Sequence, residues 1–243
     1  MSALIVLAGF CAGALNALAG GGPLITLGAL LLTGLDARAA NMTSTIALFP
    51  GQIAAGLASR GLLPKANIIP LGLLLGLNIT GGLIGAALLP TTSSALFAKM
   101  VPWLVLLATA IYAWSNFGSR AIGGSQIGAM PFAAGQFLLS IYGGYFGGGN
   151  SFLMLALLSV TRLAARDAGG VKNPLIAVIN TAAVTLLLFS PSVDFVKALL
   201  LGAGAIAGGM AGIWILRRIN DTVLRLFVIS VGAALTVWLF WSA

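Results

Sequence analysis

The sequence predicts an all-α polytopic membrane protein built from two inverted-topology repeats. The chain of 243 residues is 60% hydrophobic and only 7% charged, with a mean hydropathy of +1.10. About a quarter of the residues are charged in ordinary globular domains. The long apolar runs reach about 18 to 25 residues, the length that a helix needs to cross a bilayer. The same landmarks also occur twice along the chain and in the same order, which is typical of an internal repeat.

Each half contains five helical runs separated by short polar or glycine-rich segments. The second run is short and begins with Pro23, a residue that the first turn of a helix tolerates well. The fourth run is expected to stop at Pro90, and the threonines and serines at 91–94 can cap the fifth. The runs predicted in the first half cover residues 3–19, 23–32, 40–58, 68–89 and 95–117.

The pattern restarts after a predicted linker at residues 119–125. The glycines at 20–22 match those at 147–149, the alanines at 54–55 match 182–183, and further glycines match later, all at nearly the same shift. We therefore predict an N-terminal repeat at 1–118 and a C-terminal repeat at 126–243, joined in one membrane domain. An odd number of crossings in each half makes the second copy enter from the opposite face, so the repeat is inverted.

The formal net charge of +8 does not indicate a nucleic-acid partner, because the cations are scattered at the ends of apolar runs. Such cations are typical topology signals, and the face that is richer in Lys and Arg is usually cytoplasmic. This rule places both termini outside. The richer predicted face holds Arg60, Lys65, Arg120, Arg162, Arg166, Lys172, Arg217, Arg218 and Arg225, and the poorer one holds Arg38, Lys99 and Lys197.

The inventory of reactive side chains argues against an enzyme. The chain has no His, one Cys and four acidic residues, all of them Asp near helix ends. Most nucleophile, acid–base and metal schemes need more than this. We expect no metal and no cofactor, and we interpret Cys11 as a packing residue.

Two glycine triplets are the strongest functional signal: Gly20, Gly21 and Gly22, and Gly147, Gly148 and Gly149. A triplet breaks a helix and leaves its amides approachable. Irregular backbone at membrane depth is tolerated only against protein or a wet cavity. If the two helix starts face each other, their free amides and dipoles suit an anion. The alternative is close helix packing, to which we assign glycines at four-residue spacing: Gly72 and Gly76, Gly81 and Gly85, and Gly204, Gly208 and Gly212.

Polar side chains beside the triplets are further candidates for the site, because such groups cost free energy in lipid. Asn16 precedes the first triplet by one helical turn, and Tyr142 and Asn150 flank the second. An alternative for Asn150 is a helix cap, and for Tyr142 a core hydrogen bond.

The third run of each half supplies polar residues at matching places. Thr43, Ser44 and Thr45 occupy in the first half the place that Val171, Lys172 and Asn173 occupy in the second. Lys172 is either a cation within reach of a central cavity or a charge that extends from a helix end towards water.

Taken together, these residues resemble the TauE/SafE sulfite exporter family of bacterial membrane permeases. The resemblance covers nearly the whole chain. It depends on residues 16–22, on residues 142–149, on Lys172 and Asn173 with Asn180, and on residues 208–212 with Arg217 and Arg218. The family implies two inverted halves and a place in the bacterial cytoplasmic (inner) membrane. It also implies transport of small sulfur-containing anions such as sulfite, thiosulfate, sulfonates or sulfoacetate.

The sequence therefore predicts a secondary transporter that moves such an anion by alternating access. Its expected partners are the anion and the lipid bilayer, with a homodimer left open. An anion channel and a non-transporting membrane partner protein are the alternatives. The predicted substrate-binding residues are Asn16, Gly20, Gly21, Gly22, Thr43, Ser44, Tyr142, Gly147, Gly148, Gly149, Asn150, Lys172 and Asn173.

Overall fold

The computed structural model describes residues 2–18, 21–59, 68–117, 128–159, 165–216 and 221–242. Within these ranges the chain forms ten α-helices and no strand, which confirms the all-α prediction. The predicted linker at 119–125 lies outside the described residues. The helices are α1 (Ser2–Leu18), α2 (Gly22–Leu32), α3 (Ala37–Ser59), α4 (Leu71–Thr91), α5 (Ser94–Phe117), α6 (Ala129–Tyr145), α7 (Asn150–Ser159), α8 (Ala165–Leu187), α9 (Phe195–Leu216) and α10 (Asp221–Ser242).

The helices α2 and α7 are too short to cross a membrane. They contain 11 and 10 residues, so each is about 15 Å long, roughly half of the hydrocarbon thickness. Among the described residues, the helices at Leu71–Thr91 and Ser94–Trp114 are long and apolar enough to span a bilayer, and several shorter helices are apolar as well.

Two pairs of parallel helices are packed through small residues. In the pair α1 and α9, a Cβ atom added to Gly9 would overlap the carbonyl oxygen of Leu201, and one added to Gly13 would overlap that of Ala205. Because the contact moves four residues forward in both helices, from Gly9 and Leu201 to Gly13 and Ala205, the two helices run in the same direction. Each pair joins a helix from the first half of the chain to one from the second.

The pair α4 and α6 has the same construction. A Cβ atom at Gly81 would lie 3.0 Å from the carbonyl oxygen of Phe137, and one at Gly85 would overlap that of Ile141. The packing predicted for glycines 81, 85, 204 and 208 is therefore confirmed. It is wrong for Gly72 and Gly76, because no atom of the described residues lies within 4 Å of an added Cβ at either position.

The helices α3 and α8 pack antiparallel to each other at the centre of the molecule. Gly56 lies against Ala177, with an added Cβ only 2.6 Å from the alanine Cβ. Four residues earlier in α3, the Oε1 atom of Gln52 accepts a hydrogen bond from the Nδ2 atom of Asn180 at 2.5 Å. These two contacts place the middle of α3 beside the middle of α8.

The ends of the helices differ from the prediction at Pro90. This residue lies inside α4, which ends one residue later at Thr91. Proline has no amide hydrogen to bond the carbonyl oxygen four residues earlier, so the helix does not continue far beyond it. Ser93 caps α5 as expected, with its Oγ atom accepting a bond from the amide of Leu96 at 3.2 Å. Arg38 donates to the carbonyl oxygens of Pro90 and Thr92 at 3.1 and 2.9 Å, and so connects the start of α3 to the end of α4.

The interior is mainly apolar, and its buried polar side chains include a cluster between α4 and α6. Asn78, Gln136 and Ser140 are all fully buried. The Oδ1 atom of Asn78 accepts from Nε2 of Gln136 at 2.5 Å and from Oγ of Ser140 at 2.8 Å. Large apolar side chains such as Phe189 and Trp241 are exposed on the outside. An apolar exterior around a packed helical interior is what lipid requires.

Candidate functional site

The first glycine triplet lies at the turn between α1 and α2. Gly20 is outside the described residues, Gly21 is buried, and Gly22 begins α2. A Cβ atom at Gly22 would lie 2.6 Å from the carbonyl oxygen of Ala12 and 3.1 Å from the Cβ of Asn16. The start of α2 is therefore pressed against the last turns of α1, which makes α1 and α2 a helical hairpin.

The second triplet lies between α6 and α7, and glycine is required in this turn. Gly147 and Gly149 have φ values of +71° and +77°, a region that other residues rarely adopt. The hydroxyl of Tyr142 lies 2.7 Å from the carbonyl oxygen of Gly148, within donating distance. The backbone amides of Gly148 and Gly149 donate to no backbone acceptor among the described residues. These amides are therefore free for another partner.

A small polar cavity lies between the two hairpins. Its volume is about 30 Å³, which is room for about two water molecules. The hairpins contribute Asn16, in the last turn of α1, and Ser151, the second residue of α7. The described residues that line this central cavity are Asn16, Gln52, Ala55, Ser151, Asn173 and Ile176.

Two of the lining residues are held by hydrogen bonds between α3 and α8. Gln52 accepts from Asn180, as described above, and Nδ2 of Asn173 donates to Oγ of Ser59 at 3.1 Å. The sequence analysis named Asn173 but missed Gln52. A lone amide side chain in the middle of an apolar run was the available signal, because such a group has to face protein, water or ligand.

Asn150 is the first residue of α7 and is only 2% exposed. Neither its Oδ1 nor its Nδ2 atom has a hydrogen-bond partner. The side chain lies close to Gly143 of α6, where an added Cβ would overlap its amide group. A buried amide without partners costs about 1–3 kcal/mol. A ligand at the second triplet could supply the missing hydrogen bonds, which makes Asn150 a candidate binding residue.

Lys172 lies one residue before Asn173 and is 7% exposed. It does not line the central cavity. Among the described residues it forms no ion pair; the ion pair found there joins Lys197 to Asp194. It thus lies inside α8, near the cavity but not at its wall.

Thr43 and Ser44 are placed away from the central cavity. The Oγ1 atom of Thr43 accepts from the amide of Asp194 at 3.1 Å, next to the start of α9. The Oγ atom of Ser44 lies 2.5 Å from Oγ1 of Thr26 and links α3 to α2. Both side chains therefore hold helices together.

Of the predicted site residues, the structure brings Asn16 and Asn173 to the wall of one cavity. Gly22 and Asn150 lie next to wall residues, and Tyr142 supports the second triplet. The apolar exterior, the two helical hairpins and the small cavity between them define a helical membrane protein.

Comparison with known proteins assigns the chain to a family. The family model described as "Sulfite exporter TauE/SafE" matches residues 5–239. The chain belongs to this family, and it is a membrane transport protein. It is 26% identical over 240 residues to a "Probable membrane transporter protein" of Haemophilus influenzae, covering 96% of this chain and 92% of the relative.

A second relative gives the same result. The chain is 26% identical over 244 residues to a "Probable membrane transporter protein ORF9" of Sinorhizobium sp., covering 97% of this chain and 90% of that protein. No solved structure matches the chain.

Proposed function

We propose that the protein is a secondary transporter that moves a small sulfur-containing anion, such as sulfite or a sulfonate, across the bacterial cytoplasmic membrane. The anion binds in the central cavity, between the turns of the two helical hairpins. The family description supports the substrate class, and the neutral hydrogen-bonding groups of the cavity are compatible with it.

The observation that carries this proposal is the composition of the cavity wall. Asn16 comes from the end of the first hairpin and Ser151 from the start of the second, although they are far apart in sequence. Helix starts present free amides and partial positive charge, which favour anions. Discontinuous helices that meet near the bilayer midplane are typical of transporter binding sites.

Helix packing supports the inverted repeat. Gly81 of α4 lies against Phe137 of α6, and Gly208 of α9 lies against Phe10 of α1. Both members of the first pair are 127 residues from their counterparts in the second. The pairing of α4 with α6 is therefore the copy of the pairing of α9 with α1.

The centre of the molecule follows the same relation. Gln52 and Asn180 are 128 residues apart and are hydrogen-bonded to each other. Two equivalent positions can touch only where the symmetry axis passes between them. The axis of the repeat therefore runs through this amide pair, beside the central cavity.

The directions of the helices support a topology with both termini outside. The helices α1, α3 and α9 run in the same direction, since Thr43 is bonded to Asp194 and Ala47 lies against Gly202. The hairpin α1–α2 then returns to the face where it began, and α3, α4 and α5 cross. The second half repeats this from the opposite face, where most cations lie, so that face is cytoplasmic.

The cavity has room for about two waters, so an anion larger than this has to enter through a rearrangement. Alternating access by movement of one repeat against the other supplies it. Flux should therefore saturate with anion concentration. Unsaturated flux with unitary currents in single-channel recordings would instead indicate a channel.

The test is flux of sulfite into vesicles that contain the purified protein. Asn16→Ala and Ser151→Ala each remove a hydrogen-bonding group from one wall, and we expect a loss of about 10-fold or more in flux at low substrate concentration. Thr80→Ala is the matched control, because its hydroxyl is exposed and bonds to the carbonyl of Gly76 in its own helix. Wild-type flux in both cavity variants would refute the site.

A further inference from the structure

The wall of the central cavity is polar but carries no formal charge. Asn16, Gln52, Ser151 and Asn173 provide amide and hydroxyl groups, which both donate and accept hydrogen bonds. The remaining described wall residues, Ala55 and Ile176, are apolar. An anion in this cavity therefore meets hydrogen bonds, and its charge has to be balanced by other parts of the molecule.

The starts of α2 and α7 are sources of positive potential beside the cavity. The first residue of α2, Gly22, lies against Asn16, and the second residue of α7, Ser151, lines the cavity. The start of a helix carries about half of a positive charge, so two starts supply about one charge. Asn150, at the start of α7, adds a buried amide with no partner.

None of the ionisable groups described on the four helices around the cavity lines its wall. The described side chains of α1, α3, α7 and α8 include three such groups: Cys11, Arg38 and Lys172. Arg38 is bonded to carbonyl oxygens at the far end of α3. Lys172 is buried and does not line the cavity; it lies one residue before the wall residue Asn173. Arg166 and Asp167 lie among the side chains that are not described.

We propose that the site selects anions with a single negative charge and rejects dianions. The inference rests on the proposed transport function and adds the charge state of the substrate. Two half-charges from the helix starts balance one negative charge, and a second charge would meet no further positive charge on the neutral wall of the cavity. Bisulfite and alkanesulfonates therefore fit the site, whereas the sulfite dianion and sulfate do not.

The first test compares three anions in the same vesicles at several pH values. Methanesulfonate carries one charge throughout, sulfate carries two, and sulfite changes between one and two near neutral pH. We expect methanesulfonate flux to be independent of pH and sulfate flux to be at least about 100-fold slower. Sulfite flux should fall about tenfold for each pH unit once the dianion dominates.

The outcomes separate this inference from the transport function. Sulfate flux equal to methanesulfonate flux, or sulfite flux that rises with pH, would overturn the charge selection and leave transport intact. If none of the three anions moves, the transport function itself fails and the inference fails with it.

The second test adds a charge to the cavity wall. Ala55→Lys introduces a cation at a wall position. Ala54→Lys is the matched control, since both residues are exposed but Ala54 does not line the cavity. We expect the ratio of sulfate to methanesulfonate flux to rise about tenfold or more in Ala55→Lys only. An equal ratio in both variants would contradict the proposal.

Lys172→Met completes the test. If the lysine supplied the balancing charge, wild-type protein would carry sulfate and the variant would lose it, which would overturn the role given to the helix starts. We expect the discrimination between methanesulfonate and sulfate to be unchanged in this variant.

Discussion

The substitution Gly85→Ala tests the packing of α4 on α6. The added methyl group would overlap the carbonyl oxygen of Ile141 and lie 2.7 Å from the amide nitrogen of Tyr145 and 3.0 Å from the carbonyl carbon of Gly144. All three neighbours are backbone atoms, which cannot rotate away, so the helices have to separate.

The size of the effect follows from two opposing contributions. Overpacking a closely packed contact costs about 1–3 kcal/mol, and a contact with rigid backbone belongs in the upper half of that range. Replacing glycine by alanine in a helix returns about 0.5–1 kcal/mol. The expected net loss is about 1–2 kcal/mol, which lowers the Tm of a chain of this size by about 2–8 °C.

Gly76→Ala is the matched control on the same helix. No atom lies within 4 Å of a Cβ at this position, so only the gain in helix stability remains and the Tm should be unchanged or slightly higher. Both variants can be measured by thermal unfolding in detergent, followed through the fluorescence of the five tryptophans. A Tm for Gly85→Ala at or above that of Gly76→Ala would refute the packing argument.

Three further variants test individual contacts. Asn78→Ala removes the acceptor of the buried polar cluster and should lower stability by about 1–2 kcal/mol, measured as a fall in Tm in detergent. Tyr142→Phe loses the bond to the carbonyl of Gly148. Anion flux should therefore fall while the Tm changes little. A reduced Tm with normal flux would contradict the role of Tyr142 in holding the second triplet for the anion. In Asp194, the side-chain and backbone hydrogen bonds from Lys197 hold the pKa of the carboxyl below its usual value. The stabilisation by this carboxylate is therefore present at neutral pH and lost as the pH falls through the lowered pKa. Asp194→Asn should lower the Tm at neutral pH, and the difference from wild type should shrink as the pH falls and disappear once the carboxyl of the wild type is protonated.

The helical class and the family could be predicted because they depend on composition and on local motifs. The short helix after Pro23 and the cap at Ser93 were also predictable, since both are set by neighbours in sequence. The end of α4 was predictable only approximately: a proline lacks the amide hydrogen that continues a helix, but the sequence does not show that the helix runs on to Thr91.

Glycine spacing shows the limit of a periodic pattern. Gly72 and Gly76 have the same spacing as Gly81 and Gly85, but only the second pair lies against another helix. The spacing shows which residues share a face. Which face has a partner is decided by the three-dimensional arrangement of helices that are distant in sequence.

The polar residues of the third run show a similar limit. The sequence identifies Thr43 and Ser44 as polar groups at membrane depth that need partners. Their partners, Asp194 and Thr26, are 151 and 18 residues away, and no local pattern distinguishes such structural bonds from contacts with a ligand. For Gln52 the polar signal was visible in the sequence, but its place on the cavity wall depends on the packing of α3 against α8, which is distant in sequence.

The pairing of α1 with α9 has a consequence for biosynthesis. Gly9 and Leu201 are neighbours in the finished protein, but the ribosome adds Leu201 192 residues later than Gly9. At a synthesis rate of about 5–20 residues per second, this interval is about 10–40 s. During that time the glycine face of α1 has no helix to pack against, so lipids or the insertion machinery cover it until α9 has been synthesised and inserted.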